Sequence, residues 1–437
     1  MNDNNSSYNF LECNSSLSNE VRTLQIIDNV YNDMCQFDNL YDCYLEARRL
    51  KRYRHEVLYF SNRLEDNLRR IQYELLTQTY NLGPYRRFFV YEPKLRCISA
   101  LHFRDRIIQW AIYKILNPFY DKMFIEDSYA CRKGKGTHVA LDRLQYWLRL
   151  LEYKMKVNQL KEPYYYLKMD ISKFFYRVNH KILLDILSRR VKDLKLLNLI
   201  KIIIDNPKAA FGLGEGVEPS TNLNVWLYDV GMPIGNLTSQ LFANLYMNEL
   251  DQFCKHVLRI KYYIRYMDDF VILGTKDQLQ QYRRQIEIFI NNHMKLSINN
   301  KTIMAPITKI MEFVGYRVSA HIRKIRKSSI RRIKNRFKSI MKKYEEYKID
   351  LRTLMEPVAS WHGMFLRSSD NSLEKKMLSI IRDSKRFQDE LIINNTSERD
   401  LNELIDNYNE DWEFQYEIDT MNNEMWFDYY QEYIQNY

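Results

Sequence analysis

Three aspartates carry the chemistry this sequence is best equipped to do. Asp268 and Asp269 stand side by side in Tyr263-Ile264-Arg265-Tyr266-Met267-Asp268-Asp269-Phe270-Val271-Ile272-Leu273, between two short runs that read as β-strands. A tight turn there holds two like charges at the rim of a sheet, which is costly unless a cation neutralises them. Far upstream, Tyr164 to Phe175 forms a second β-rich run with Asp170 at its centre. If the two runs lie side by side in one sheet, Asp170 comes within reach of the pair. Carboxylates gathered in a basic chain suit a cage for two divalent ions, Mg2+ foremost, because Mg2+ takes hard oxygen ligands and shares them with substrate phosphates. The plain alternative is a solvated Asp-Asp turn, and the second aspartate-bearing strand weighs against it.

The charge balance fits a phosphate-rich partner. Lys and Arg total 66 against 55 Asp and Glu, for a formal net charge of +11. Such a surface attracts polyanions, although solubility or membrane-surface affinity would use the same balance. At 437 residues and 46% hydrophobic, the chain buries a large core in more than one subdomain. Met1 to Glu20 is polar and rich in Asn and Ser, with no apolar segment to act as signal peptide or span, which favours the cytoplasm. Cys13, Cys35, Cys43, Cys97, Cys131 and Cys254 include no C-x-x-C pair, so neither a zinc site nor a disulfide framework is indicated.

Positioning such residues needs a scaffold of alternating helices and short strands. Ala47 to Tyr80 carries Leu50, Tyr53, Val57, Leu64, Leu68, Ile71 and Leu75 at helical spacings, and Gly83-Pro84 breaks the pattern. Tyr85 to Pro93 suggests a basic hairpin ending at Lys94, Leu95 and Arg96; Leu101 to Pro118 is helical again. Tyr129 to His138 combines Arg132, Lys133 and Lys135 with two glycines, a composition that lets backbone approach a phosphate, without Walker A spacing. Gly231 to Gln240 reads as a turn at Gly235-Asn236 feeding a helix capped by Thr238 or Ser239, whose start would face a nucleotide or simply cap a core helix. Gln278 to Met294 follows as a helix, Lys295 to Asn299 as a strand leading to Lys301, and Met311 to Tyr316 as a further strand. The alternation predicts an α+β fold, an antiparallel sheet with helices on one side.

Charge then segregates strongly. His321 to Asp350 holds twelve Lys or Arg against three acidic residues, with Ile330, Ile333, Phe337, Ile340 and Tyr344 at helical spacing, an amphipathic basic helix suited to a phosphate backbone rather than to a membrane. Leu401 to Tyr437 reverses this with ten Asp or Glu, no Lys or Arg, and a dense set of aromatics including Trp412, Trp426 and Tyr430. That density is unusual for a disordered acidic tail and suggests a docking segment.

Together these residues resemble a reverse transcriptase from about Leu50 to Asp370. Asp170 with Ile171-Ser172-Lys173-Phe174-Phe175, the Tyr266-Met267-Asp268-Asp269 turn, Lys94 and Arg96 on the hairpin, the lysine-bearing Lys295 to Thr302 segment and Phe313-Val314-Gly315-Tyr316 all match motifs of that family. The resemblance implies a right-hand polymerase of fingers, palm and helical basic thumb. It divides the chain into an N-terminal extension (1–44), fingers with the first part of the palm (45–165), palm (166–204), a fingers/palm insertion (205–235), palm (236–318), thumb (319–385) and an acidic aromatic extension (386–437). It also implies two Mg2+ ions, with Mn2+ able to substitute, in a metal set of Asp170, Ile171, Asp268 and Asp269. Lys94, Arg96, Phe174, Phe175, Ile234, Gly235, Gln240 and Lys301 would face the dNTP. Arg132, Lys133, Lys135, Tyr266, Met267, Phe313, Gly315, Arg323, Arg331, Lys334 and Lys338 would face primer and template.

Ile234-Gly235 and Ser239-Gln240 depart from the Gln-Gly and Ser-Pro pairs of retroviral and group II intron enzymes. The Ile-Gly-Asn-Leu-Thr-Ser-Gln form is similar to bacterial reverse transcriptases of diversity-generating retroelements and antiviral defence. The implied partners are an RNA template, foremost a dedicated non-coding RNA, its DNA product and dNTPs, with self-association or an accessory protein through 386–437 and no membrane. Three alternatives stay open: a diversity-generating enzyme, an RNA-dependent RNA polymerase and an idle nucleic-acid scaffold.

Overall fold

The computed structural model describes residues 25–394 apart from 92, 93, 161 and 207; the expectations for 1–24 and 395–437 lie outside the described residues. Helices α1 (Tyr31–Met34), α2 (Phe37–Ala47), α3 (His55–Ser61) and α4 (Leu64–Leu76) open the described chain, and the helical spacings expected over Ala47 to Tyr80 fall on α3 and α4. A hairpin follows, β1 (Arg86–Val90) against β2 (Arg96–Ala100), with Lys94 in its connection. After it come α5 (Phe103–Tyr120), α6 (Thr137–Lys156), β3 (Tyr164–Asp170), α7 (Phe174–Arg177), α8 (His180–Ser188) and α9 (Leu194–Ile204). The two-residue strands β4 (Gly212–Leu213) and β5 (Trp226–Leu227) pair before α10 (Leu237–Gln252). Beyond lie β6 (Tyr262–Tyr266), β7 (Asp269–Thr275), α11 (Lys276–His293), β8 (Ile303–Pro306), β9 (Met311–Phe313), β10 (Tyr316–Val318) and β11 (Arg323–Ile325). Helices α12 (Lys327–Glu345), α13 (Leu351–Leu366), α14 (Ser372–Arg382) and α15 (Lys385–Asn394) complete the described chain.

The central sheet is antiparallel with order β6-β7-β3-β8. Its strands alternate in two directions at once, because Phe270-Val271-Ile272-Leu273 is apolar at every position. Leu167, Met169, Phe270 and Ile272 join a core with residues of α5, α10 and α11, while Tyr166, Val271 and Leu273 join a second core with residues of α6, β9, β10 and α12. Packing elements therefore cover both faces, which corrects the expectation of helices on one side. Lys295 to Asn299 also differs from expectation: it contributes only an isolated bridge, Ile298 to Ile171, and the fourth strand is β8.

Beneath the β6–β7 turn, Arg265 is fully buried beside a fully buried Asp251 of α10. Its Nε and Nη2 donate to the two Asp251 carboxylate oxygens at 2.7 and 2.6 Å. Nη1 donates to Asn244 Oδ1 at 3.2 Å and to the Met267 carbonyl at 2.9 Å, and Nη2 also donates to Ser128 Oγ at 3.0 Å. Tyr263 adds its hydroxyl to Asp251 at 2.8 Å. The fork geometry of guanidinium meets a carboxylate in two parallel bonds and still reaches the turn. Asp251→Ala should destabilise the chain by about 3–5 kcal/mol, the cost of leaving a buried cation without its counter-charge. Chemical denaturation checks it, and an unchanged midpoint would refute this role.

Candidate active site

The sheet register brings the three aspartates to one end. Asp170, the last residue of β3, lies opposite Asp269, the first of β7. Asp268 occupies the two-residue turn with Met267, whose φ of 57° is left-handed and is held by the Arg265 bond to its carbonyl. Ile171 N donates to the Asp268 carbonyl at 3.3 Å, tying the start of the next segment to the turn. Burial and the neighbouring Asp170 charge push the Asp268 carboxyl up from its ordinary range, while Arg96 pulls in the other direction. Burial raises Asp269 as well, opposed by Lys168.

Each flanking carboxylate has a protein partner. Lys168 Nζ donates to Asp269 Oδ2 at 2.9 Å and to the Glu312 carbonyl at 3.0 Å. Asn299 Nδ2 donates to Asp170 Oδ2 at 3.0 Å, and Asn299 N to the Asp170 carbonyl at 2.8 Å. Among the described residues, no group of three His, Cys, Asp or Glu side chains is arranged to hold a metal by itself. The buried Asp269 Oδ1 nevertheless has no hydrogen-bond partner among them. Hard oxygen donors, a repelling Asp170–Asp268 pair and this orphan oxygen fit a divalent cation whose shell is completed by a phosphate-bearing ligand.

Other expected residues divide into those brought near and those turned inward. Arg96 is exposed and close enough to stabilise the Asp268 charge; Lys94 is exposed nearby in the hairpin connection. Phe174 is buried and meets half-buried Phe175 edge-on at 5.4 Å between centroids. The Phe175 carbonyl accepts from Met232 N at 2.7 Å, and Ser99 N donates to the Ile234 carbonyl at 2.9 Å. These bonds seat the Gly231–Asn236 segment between the hairpin and α7. Gly235 is needed there by its φ of 119° and because a Cβ would stand 3.1 Å from the Ser99 carbonyl, a protein contact rather than a nucleotide. Gln240 is buried inside α10, not at its rim, and Lys301 is exposed with its backbone on Asn299.

The α10 start also corrects the capping expectation. Asn236 is the N-cap, its amide donating to the Tyr85 hydroxyl at 2.8 Å, while Gln109 of α5 accepts from Thr238 N at 3.3 Å. Thr238 and Ser239 sit buried within the helix.

Arg132 does not face solvent phosphate: its guanidinium donates to Asp121, Ile125 and Ser128 oxygens at 2.6 to 3.1 Å. Lys135 is engaged by Glu126, leaving Lys133 exposed. Arg323 is buried, donating to Asp142 Oδ1 at 2.6 Å and Gln145 Oε1 at 2.9 Å. Phe313 is buried, whereas Gly315 has open space where a side chain would project. Tyr266 accepts from Thr137 Oγ1 at 3.2 Å; Met267 is buried against the core. Arg331, Lys334 and Lys338 are exposed on α12. Burial pushes the Cys131 thiol up to about 12, away from the reactive thiolate state.

Lys168, Asn299, Arg265 and Asp251 were not singled out by the sequence reading. A signal existed for Lys168 and Arg265, each a cation interrupting an apolar strand next to an aspartate. Asn299 and Asp251 had none, since their partners come from distant segments.

Comparison with known proteins gives the frame for these residues. The family described as reverse transcriptase (RNA-dependent DNA polymerase) matches residues 92–318, just over half of the chain. The group II intron-encoded protein LtrA of Lactococcus lactis subsp. cremoris is 23% identical over 322 residues, covering 58% of this chain and 49% of that protein. Protein YkfC of Escherichia coli K12 is 24% identical over 294 residues, covering 59% and 72%. The chain thus spans about half the length of the intron-encoded relative. Among solved structures, telomerase from Candida albicans with a fragment of telomeric RNA aligns at TM-score 0.44 and 13% identity, covering 79% of this chain and 60% of that one. By the match over 92–318, which takes in all three aspartates and the sheet that aligns them, this chain belongs to the reverse transcriptase family.

Proposed function

We propose that this protein is an RNA-directed DNA polymerase that extends a 3′-hydroxyl with dNTPs on an RNA template. The observation that carries the reading is the antiparallel ladder that sets Asp170 opposite Asp269, with the charge of Asp268 disfavoured by burial and by Asp170. Asp170 and Asp268, with Ile171 beside them, would hold two Mg2+ ions, and Asp269 would support them while tethered by Lys168. When bound, the ions lower the pKa of the attacking hydroxyl and stabilise the leaving pyrophosphate oxygens. Arg96 and Lys94 neutralise the β and γ phosphates of the incoming nucleotide. Arg265 keeps the turn in one conformation, so the carboxylates meet substrate without rearranging.

In this reading the central sheet is the palm, the β1–β2 hairpin belongs to the fingers, and α12 to α14 form the thumb, with the boundaries expected above. The β9–β10 hairpin, open at Gly315, would support the primer, while Lys133, Arg331, Lys334 and Lys338 would contact the nucleic-acid backbone. Phe175 would exclude a ribose 2′-hydroxyl. An RNA polymerase remains the contrasting reading, separated by this ring. No helix among the described residues is long and apolar enough to cross a membrane; a cytoplasmic setting is part of the proposal.

We assign the enzyme to bacterial antiviral defence, on the acidic aromatic segment, in preference to diversity-generating retroelements. A template repeat beside a variable target gene in the genomic neighbourhood would reverse that choice; its absence, with defence genes alongside, is the expected result. Asp268→Asn combined with Asp269→Asn should lower primer extension by at least about 10³-fold, on the scale of losing preorganised electrostatic stabilisation, with template binding retained. Extension that persists with Mg2+ would end the catalytic assignment. Phe175→Ala should raise rNTP use relative to dNTP by about 10- to 200-fold, the range over which pocket shape discriminates. Competitive single-nucleotide incorporation measures it, and an unaltered ratio would remove Phe175 from that role.

A further inference from the structure

We infer that residues 395–437 dock, within the same chain, along the outward face of α12 and compete there with nucleic acid. Lys327, Arg331, Lys334, Lys338 and Lys342 are all exposed and fall in one stripe of that helix, away from buried Ile333, Phe337, Met341 and Tyr344. Among the described residues, the ion pair found for this stripe is Lys342 with Glu346 at 3.7 Å. Lys327 and Arg331, Lys334 and Lys338, and Lys338 and Lys342 are like charges one turn apart, a spacing at which each pair is mutually destabilising. A polyanion laid along the stripe removes that cost.

The chain carries one in its own sequence. Residues 401–437 carry ten acidic side chains and no basic one, leaving the first 400 residues with 66 Lys and Arg against 45 Asp and Glu. The acidic residues Glu403, Asp406, Glu410, Glu413 and Glu417 recur at the three- and four-residue intervals that separate the α12 cations. Helix α15, from which this segment departs, is anchored at the end of α12. Arg386 lies over the Tyr344 ring at 4.2 Å from its centroid and donates to the Ile349 carbonyl at 2.9 Å.

Reach is sufficient. The stripe from Lys327 to Lys342 is roughly 22 Å long at helical rise, and the connection from Asn394 to Glu403 can extend up to about 30 Å. Tethering holds the acidic segment at an effective concentration near the millimolar scale, enough for weak ion pairing to compete with a free polyanion. Trp412, Phe414 and Tyr416, interspersed among the acids, can stack against guanidinium as well.

The test uses the full chain and the variant Glu403→Gln, Asp406→Asn, Glu410→Gln, Glu413→Gln and Glu417→Gln, all outside the described fold. Binding of a fluorescein-labelled oligo(U) RNA of about 20 nucleotides, a length suited to a backbone-tracking groove, is measured across a salt series. The amide variant should bind about tenfold more tightly at low salt, with the gain vanishing as screening rises. Zero-length carbodiimide coupling of the unmodified chain should join α12 lysines to residues 403–417, and excess RNA should abolish the link. Equal affinities, or no such link, would overturn the inference. Links formed only between copies, seen with mixed isotope-labelled chains, would also overturn it by making the occupant a second molecule. Neither readout involves DNA synthesis, so the outcome stands apart from that of the polymerase assignment.

Discussion

A single buried ion pair underlies the geometry of this protein. Arg265 and Asp251, both without solvent contact, are joined by two short hydrogen bonds, and the remaining donors of the guanidinium reach Asn244, Ser128 and the Met267 carbonyl. Three separate parts of the chain, α10, the loop before α6, and β6 with the turn that follows it, are thereby referred to one planar group. Buried charge is a poor source of net stability, because desolvation offsets much of the attraction. What it supplies here is direction: the left-handed Met267 would be free to relax without an anchored carbonyl, and the carboxylates that follow it would lose their aim.

Above that anchor the problem is repulsion. Burial raises the proton affinity of Asp268 and Asp269, and the nearby charge of Asp170 raises it further. The fold answers with side chains that offset only part of the negative charge. Lys168 binds one oxygen of Asp269 and leaves the other without a partner among the described residues, Asn299 holds Asp170 by neutral bonds, and Arg96 acts on Asp268 from the hairpin. The residual negative potential is what the proposed divalent cations would neutralise.

Much of this was legible before any coordinates. Short β-rich aromatic and aliphatic runs with aspartates at their ends identified β3 and the β6–β7 hairpin, because runs of that length and composition suit strands buried on both faces. Helix α12 declared itself through its basic and packed faces. The errors share a cause: a sequence shows a polar group but not its partner. Arg132 and Arg323 looked like phosphate ligands and are occupied by Asp121 and Asp142, and Thr238 looked like a cap whose place Asn236 and Gln109 fill. Lys295 to Asn299 alternates like a strand but pairs with the chain beyond β3 at a single bridge, Ile298 to Ile171, before β8 takes the edge of the sheet.

The pairing of β3 with β7 runs unbroken from Tyr164 and Thr275 to Asp170 and Asp269. Moving either strand along by one residue would exchange its two faces, turning Leu167 and Met169 away from their core and the acidic end away from its partner. The scaffold can therefore drift by substitution yet cannot absorb an insertion or deletion anywhere along those seven rungs. A change of length is instead accommodated in excursions such as that between α9 and Gly231, where loops tolerate it, while the spacing of the acidic end rests on an uninterrupted register.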